Sequence, residues 1–189
     1  CYSPRGLAVV AGFNISNTVA NLFNVVFIAL GSAISIIVGQ QLGAGKLEEA
    51  VDTDRKMIVF SVFCCFVIGA CMFAIAPFFP RIYNTTEEVR GLAKQFIRIA
   101  SACMPLYGFM HATYFTLRSG GRTVITFLFD SVYIWVVDIP LAFVLTRFTG
   151  VPIVSIYLSC QLIEIIKCII GYVMVKKKIW VNNMVMEQQ

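Results

Sequence analysis

Long apolar runs separated by short polar connections dominate the pattern of this chain. No Asp, Glu, Lys or Arg occurs from Gly6 to Gly45 or from Met57 to Pro80, and the stretch from Ile99 to Leu117 is uncharged apart from one histidine. An α-helix needs about 20 predominantly apolar residues to cross the hydrocarbon of a bilayer. The pattern therefore predicts an all-α, polytopic bundle of about five transmembrane helices.

Polar residues, glycines and prolines set the bounds of the predicted helices. We place the five helices at about 7–38, 57–79, 88–117, 123–145 and 153–175. Thr85 followed by Glu88 has the pattern of a capping box and predicts the start of the third helix. Pro105 and Pro140 lie inside the third and fourth helices, where a proline often marks a bend.

The connections between the helices carry most of the basic residues. With five crossings, the connection 39–56, the turn near Arg118 and the tail 176–189 share one side of the membrane and together hold eight Lys and Arg. The opposite side holds four, or six when Lys94 and Arg98 are included. The positive-inside rule then places the connection and the tail in the cytoplasm. We therefore expect a multi-pass protein of the cytoplasmic (cell inner) membrane.

The composition agrees with a membrane protein and argues against several classes of function. Of 189 residues, 59% are hydrophobic and 13% are charged, whereas soluble domains carry about a quarter charged residues. The net charge of +5 lies mostly between the apolar runs, which suits membrane orientation and not nucleic-acid binding. The seven cysteines have no metal-ligand spacing. With one histidine and no nucleophile–base pair, the sequence predicts no enzyme, no metal site and no cofactor.

An asparagine face marks the first helix. Asn14, Asn17, Asn21 and Asn24 are spaced by three, four and three residues, which places them within an arc of about 80°. Amide groups facing lipid would leave donors and acceptors unpaired. The face therefore either joins helices through amide hydrogen bonds or lines a transport path.

Intramembrane carboxyl groups are the candidates for ion coupling. Asp130 and Asp138 lie roughly 10 Å and 22 Å into the membrane from Thr123, where a carboxyl group is costly and usually functional and can exchange a proton near neutral pH. The alternatives are a structural hydrogen bond and, for Asp138, a snorkelling position. Glu164, three residues before Lys167, is a third candidate, although a structural Glu164–Lys167 pair is the simpler interpretation.

The third helix adds two polar side chains beside a face of small residues. Tyr107 and His111 lie one turn apart to one side of that face. A single intramembrane histidine can relay protons, but a hydrogen-bonded core histidine is an equal alternative. We count both residues as candidates for the wall of a substrate path.

Three segments carry a resemblance to a known family. A long helix ends in GQQLGAG at Gly39–Gly45, the segment LRSGG at Leu117–Gly121 follows Pro105, and PLA at Pro140–Ala142 precedes Glu164 and Lys167. In order and spacing these segments resemble the C-terminal half of the multidrug and toxic compound extrusion (MATE) transporters. The resemblance covers nearly the whole chain.

This resemblance implies a fold and an activity. The family has twelve helices in two six-helix lobes around a central cavity, and it exports cationic or amphipathic compounds in exchange for Na⁺ or H⁺. Residues 1–189 would then be a partial C-terminal lobe holding the last five helices, a fragment that begins at Cys1 without an initiator Met. The expected partners are membrane lipid, a small-molecule drug or toxin, and the missing N-terminal lobe.

One departure from the family pattern concerns the coupling ion. The sodium-coupled branch has an acidic residue about ten positions before the Leu-Arg turn, where this chain has Tyr107. The resemblance therefore assigns coupling to Asp130, to Asp138 or to a carboxylate in the missing lobe. A lipid-linked saccharide flippase of the same broad superfamily is the alternative, although such cavities are ringed by basic residues and only Lys167, Arg98 and Lys94 would serve here.

Overall fold

The computed structural model describes residues 6–121, 123–148 and 150–181. Four of its helices are α1 (Leu7–Gly43), α2 (Leu47–Ile75), α3 (Glu87–Ser119) and α5 (Ile153–Lys176). Between α3 and α5 lies α4, which consists of the consecutive helical segments Thr123–Phe127, Leu128–Val132, Ile134–Asp138 and Ile139–Phe148. The predicted tail is described only as far as Val181, and Arg5 and Arg122 lie outside the described residues.

The first connection is shorter than the predicted range 39–56. α1 continues to Gly43 and α2 begins at Leu47, so only Ala44–Lys46 separates the two helices. Leu42 and Ala50 are both fully buried in one core cluster, so packing holds both helix ends. Gly45 closes the turn with φ 75°, a conformation that glycine adopts without steric cost.

α2 ends before its predicted bound at residue 79. Helical geometry stops at Ile75, and a short 3₁₀ turn at Phe79–Ile82 follows. The N-cap of α3 is Thr86, whose side chain accepts a hydrogen bond from the backbone N–H of Val89 at 3.4 Å. The predicted capping box at Thr85 and Glu88 is therefore wrong by one residue. Thr85 and Thr86 both precede the acidic residues of the first turn, so sequence spacing alone does not show which threonine is the N-cap.

α3 is the central helix of the bundle and packs against α1, α2 and α5. Pro105 lies within it without ending it, and because proline has no backbone N–H, the carbonyl of Ser101 loses its helical partner. That carbonyl faces Gly69 of α2, where an added Cβ would lie 2.6 Å from Ser101 O. A glycine at this crossing lets the two helices approach closely.

α4 departs from regular α-helical geometry in its middle. The segments Leu128–Val132 and Ile134–Asp138 are π-helical, and Pro140 follows within one turn. Proline cannot donate to the carbonyl four residues earlier, so a wider helical turn accommodates the break. π-Helical turns are frequent at functional sites, and these two carry Asp130 and Asp138.

The surfaces of the helices agree with a bilayer environment. The helices that are long and apolar enough to cross a membrane are α1, α2, residues Val124–Phe148 of α4, and α5. α3 is not among these helices, and it packs against α1, α2 and α5. Large side chains such as Phe63 and Phe66 of α2 and Trp135 of α4 are more than half exposed. The predicted all-α membrane bundle of about five helices is confirmed, and four of the five helices in the described ranges are long and apolar enough to cross a membrane.

Candidate functional site

A buried lysine joins α5 to α4. Lys167 is 4% exposed, and its Nζ lies 2.7 Å from Oδ1 of Asp130. The ammonium also lies 5.4 Å from the ring centre of Phe129 and 5.7 Å from that of Tyr133, where the aromatic faces attract a cation. The predicted Glu164–Lys167 pair is wrong, because α4 supplies the counter-ion of Lys167.

Glu164 instead meets the second aspartate of α4. The carboxyl groups of Asp138 and Glu164 interact directly, and Lys167 acts electrostatically on both. Oδ1 of Asp138 and Oε2 of Glu164 are buried and have no hydrogen-bond partner among the residues that the structure describes. Two ionised carboxylates in contact repel each other, whereas a shared proton turns the contact into a hydrogen bond. This arrangement can take up a proton or a small cation.

The polar face of α5 is the centre of the site. Gln161, Glu164 and Lys167 follow one another at intervals of three residues, so they lie on one side of the helix. Gln161 accepts a hydrogen bond from the hydroxyl of Tyr107 on α3 through Oε1. The hydroxyl of Tyr133 donates to the carbonyl of Ile163 at 2.8 Å. α5 is therefore tied to α3 and α4 along the same face.

A pocket opens beside the Lys167–Asp130 pair. Its volume is about 240 Å³. The lining combines one ion pair, one histidine and mainly apolar or aromatic side chains: Ile28, Met110, His111, Tyr114, Phe115, Phe129, Asp130 and Lys167. His111 is also stacked on Phe27 of α1, with ring centres 5.4 Å apart and an angle of 15°. His111 thus lines the pocket from α3, and Tyr107 contacts Gln161 of the polar face.

The asparagine face of α1 is not covered by the other described helices. Asn14 and Asn21 are exposed and Asn17 and Asn24 are partly buried, while the opposite face of α1, including Ile34, is buried. The four side-chain amides make no hydrogen bond to residues that the structure describes. Helix joining within this bundle therefore does not account for them.

The asparagine face runs toward the pocket. Asn24 precedes Ile28, a pocket residue, by four positions, so both lie on the same side of α1 about 6 Å apart along the axis. The asparagine face therefore approaches the pocket at Asn24, one turn from Ile28.

Sequence reasoning missed several residues of the site. Lys167 was considered as a partner of Glu164 and as a basic residue of a flippase cavity, and Gln161 and Tyr133 were not site candidates. The sequence did contain a signal for Lys167 and Gln161, because Gln161, Glu164 and Lys167 follow at intervals of three residues and so share one side of a helix. Tyr133 had no such signal, because its position depends on the π-helical turns of α4.

A further buried carboxylate lies in α2, outside the predicted site. Asp54 is 1% exposed, and Oγ1 of Thr116 on α3 donates to its Oδ1 at 2.6 Å. Ala50, Asp54 and Ile58 are all buried on one face of α2, at a spacing of four that the sequence displays. Within the described ranges, no group of three or more His, Cys, Asp or Glu side chains is placed to hold a metal ion.

Comparison with known proteins assigns the chain to a family. The family model described as MatE matches residues 2–144. The chain belongs to the MatE family. This MatE chain is therefore a member of a membrane transporter family, and the resemblance seen in its motifs is confirmed.

Two curated relatives agree. The chain is 23% identical over 158 residues to "Probable multidrug resistance protein YoeA" of Bacillus subtilis (strain 168), covering 82% of this chain and 33% of the relative. It is 25% identical over 138 residues to "Probable multidrug resistance protein NorM" of Oceanobacillus iheyensis, covering 69% of this chain and 29% of the relative. The MatE chain thus spans about a third of the length of these relatives. No solved structure matches it significantly.

Proposed function

We propose that the whole protein exports cationic or amphipathic xenobiotics across the cytoplasmic membrane in exchange for H⁺ or Na⁺, and that this chain supplies part of its C-terminal lobe. The observation that carries the proposal is the cluster of Asp130, Asp138, Glu164 and Lys167 beside an open pocket between membrane helices. Ionisable groups inside a membrane bundle mark ion pathways. The family and the names of the two relatives support a multidrug transporter rather than an enzyme.

The cluster offers a specific way to couple an ion to transport. Asp138 and Glu164 face each other, so a bound proton or cation stabilises the arrangement in which α4 and α5 are packed together at these two residues. Release of that ion leaves two like charges in contact and favours a rearranged state. An ion shifts such an equilibrium only by its difference in affinity for the two states, and the facing carboxyl groups supply that difference.

The asparagine face and the pocket form this lobe's part of the substrate path. Asn14 and Asn21 are exposed on α1, and the path continues past Asn24 to His111 and Asp130. The N-terminal lobe, absent from this chain, supplies the opposite wall. Aromatic and apolar side chains around one carboxylate suit a lipophilic cation. The side that carries the three terminal lysines faces the cytoplasm.

The lipid-linked saccharide flippase has less support. A pyrophosphate needs several unpaired basic groups, and Lys167 is the one Lys or Arg among the described residues that line the pocket. Its ammonium is already paired with Asp130 at 2.7 Å. Arg98 lies over the ring of Phe73 on α2, at 5.4 Å, and is not among the pocket residues.

Transport by the full-length protein tests the proposal. Reconstituted in liposomes, it should move ethidium against its gradient when an opposing H⁺ or Na⁺ gradient is imposed, and collapse of that gradient should stop the movement. A lipid-linked saccharide should not be flipped in the same liposomes. Ethidium movement indifferent to both ion gradients, or flipping of the saccharide alone, would refute the antiport mechanism.

A further inference from the structure

A second pocket, lined by different residues, lies toward the end of the bundle where α2 begins and α5 ends. It is a groove of about 540 Å³ between these two helices, with Phe109 of α3 as part of its floor. Its wall is mostly apolar, with Val51, Ile58, Val59, Val62, Phe109, Tyr172, Val175 and Trp180. The proposed export path does not use this groove.

Three cations surround the mouth of the groove. Arg55, Lys176 and Lys178 line it and are exposed, and none of them forms an ion pair with a residue that the structure describes. The one acidic residue of the lining, Asp54, is 1% exposed and bound to Thr116, so it faces α3. The mouth is therefore positive, and the opposing charge is buried behind it.

Trp180 lines the groove and carries a hydrogen-bond donor, its indole N–H. Its side chain is 1% exposed, and its indole Nε1 is buried with no hydrogen-bond partner in the described part of the chain. The backbone at Trp180 rests against Gly120, where an added Cβ would lie 2.0 Å from Trp180 O. A buried indole N–H normally finds an acceptor, so this donor can take a polar group that reaches the end of the groove.

The sides of the groove continue into the surface that faces lipid. Phe60 and Phe63 of α2, next to Val59, are more than half exposed, and so is Tyr172 of α5. An occupant must therefore be apolar along its length and anionic at the end near Arg55, Lys176 and Lys178. A phospholipid has this form, and basic pockets between membrane helices on the cytoplasmic side bind anionic head groups.

We propose that the groove between α2 and α5 binds an anionic phospholipid, with its phosphate held between Arg55, Lys176 and Lys178 and one acyl chain lying along the apolar wall. The indole N–H of Trp180 donates to an oxygen of the head group. The site is a lipid-binding site of this lobe and stands whether or not the export mechanism proposed above is correct.

Lipid titration of the full-length protein in detergent, followed by native mass spectrometry, tests this site. Phosphatidylglycerol should be retained in preference to phosphatidylcholine. The variant Arg55→Gln/Lys176→Gln/Lys178→Gln should bind phosphatidylglycerol on the order of a hundredfold more weakly, since each basic residue near an anionic lipid contributes about fivefold. The control Lys46→Gln/Arg118→Gln/Lys177→Gln removes three cations from the same end of the bundle but none from the groove, and it should bind as the parent does.

Two further measurements keep folding separate from binding. Both triple variants should melt at the parent temperature in phosphatidylcholine alone, and Val62→Trp, which fills the apolar wall, should release phosphatidylglycerol while keeping all three cations. Equal retention by the two triple variants, or no preference over phosphatidylcholine, would overturn the proposal. Binding that appears only after removal of residues 182–189 would do so too, because the tail would then be the occupant.

Discussion

The ammonium of Lys167 on α5 lies 2.7 Å from the carboxylate of Asp130 on α4, in a bundle whose other described helices offer this lysine no second salt bridge. The lysine side chain is 5% exposed and the aspartate 46%. Lys167 is therefore buried in the interior of the bundle, while Asp130 is half-exposed beside the pocket. The pair is placed to respond to whatever enters that pocket.

Removal of Lys167 should destabilise the lobe. We expect Lys167→Met to lower the free energy of unfolding by about 2 kcal/mol, less than the 3–5 kcal/mol typical of a fully buried pair, because Asp130 is partly solvated. Lys167→Met/Asp130→Asn should recover part of that loss. Thermal unfolding of the full-length protein in detergent measures both. The exposed pair Lys56–Asp52 is the control, and its double-mutant cycle should give a coupling of about 0–1 kcal/mol. Equal coupling at the two pairs would contradict the burial argument.

The aspartate of this pair also bears on transport. Asp130→Asn in the full-length protein should weaken pH-driven ethidium efflux, because the variant no longer presents a carboxylate to the pocket. Efflux rates across a pH series measure this. Transport that is unchanged over the series would remove Asp130 from the mechanism.

The asparagine face should be wet, unlike the neighbouring lipid-facing surface. In a full-length background without other cysteines, Asn21→Cys should react with a water-soluble maleimide, and ethidium should slow the reaction. Leu22→Cys is the matched control, since Leu22 is 69% exposed but points about 100° away from Asn21 on α1. The control should react slowly, and ethidium should not affect it. Faster labelling at position 22 than at position 21 would show that the asparagines face lipid.

The crossing of α2 and α3 should not tolerate a side chain at Gly69. An added Cβ there would lie 2.6 Å from the carbonyl oxygen of Ser101, and backbone cannot move away as a flexible side chain can. We expect Gly69→Ala to cost about 1–3 kcal/mol. Gly91→Ala is the control, because nothing lies within 4 Å of the added methyl and alanine favours a helix by about 1 kcal/mol. Melting temperatures of the two variants should shift in opposite directions, and a common shift would rule out this close contact.

Only one of the two neighbouring threonines at the start of α3 caps the helix. Thr86→Ala should destabilise the protein by about 1 kcal/mol, because its side chain caps the N–H of Val89. Thr85→Ala should have little effect, since the cap is one residue later. Unfolding of both variants in the same detergent compares them. A larger loss at Thr85 would restore the capping box expected from the sequence.

The sequence predicted the helices better than the contacts between them. Uncharged runs of bilayer length located the helices, because lipid imposes that length on any chain that crosses it. The helix ends near Leu42 and Ala50 were missed, since they are set by tertiary packing of the fully buried Leu42 and Ala50. Hydropathy alone does not report such packing.

The candidate site was predicted in part for a similar reason. Asp130, Asp138 and Glu164 were identified because an intramembrane carboxyl group is conspicuous in any sequence. Their partners were not, because spacing along α5 favours a local pair of Glu164 with Lys167, whereas the π-helical turns of α4 bring Asp130 and Asp138 to them instead. Asp54 was missed because it lies among charged residues that looked solvated.

The central claim is that the facing carboxyl groups of Asp138 and Glu164 couple an ion to export. Ethidium efflux from liposomes containing the full-length protein, driven by imposed H⁺ or Na⁺ gradients, should lose its dependence on both gradients in Asp138→Asn/Glu164→Gln. The exposed-carboxylate control Asp52→Asn should keep it, and equilibrium binding of ethidium should survive in both variants. Gradient-driven efflux by the double variant at the parent rate would contradict the account.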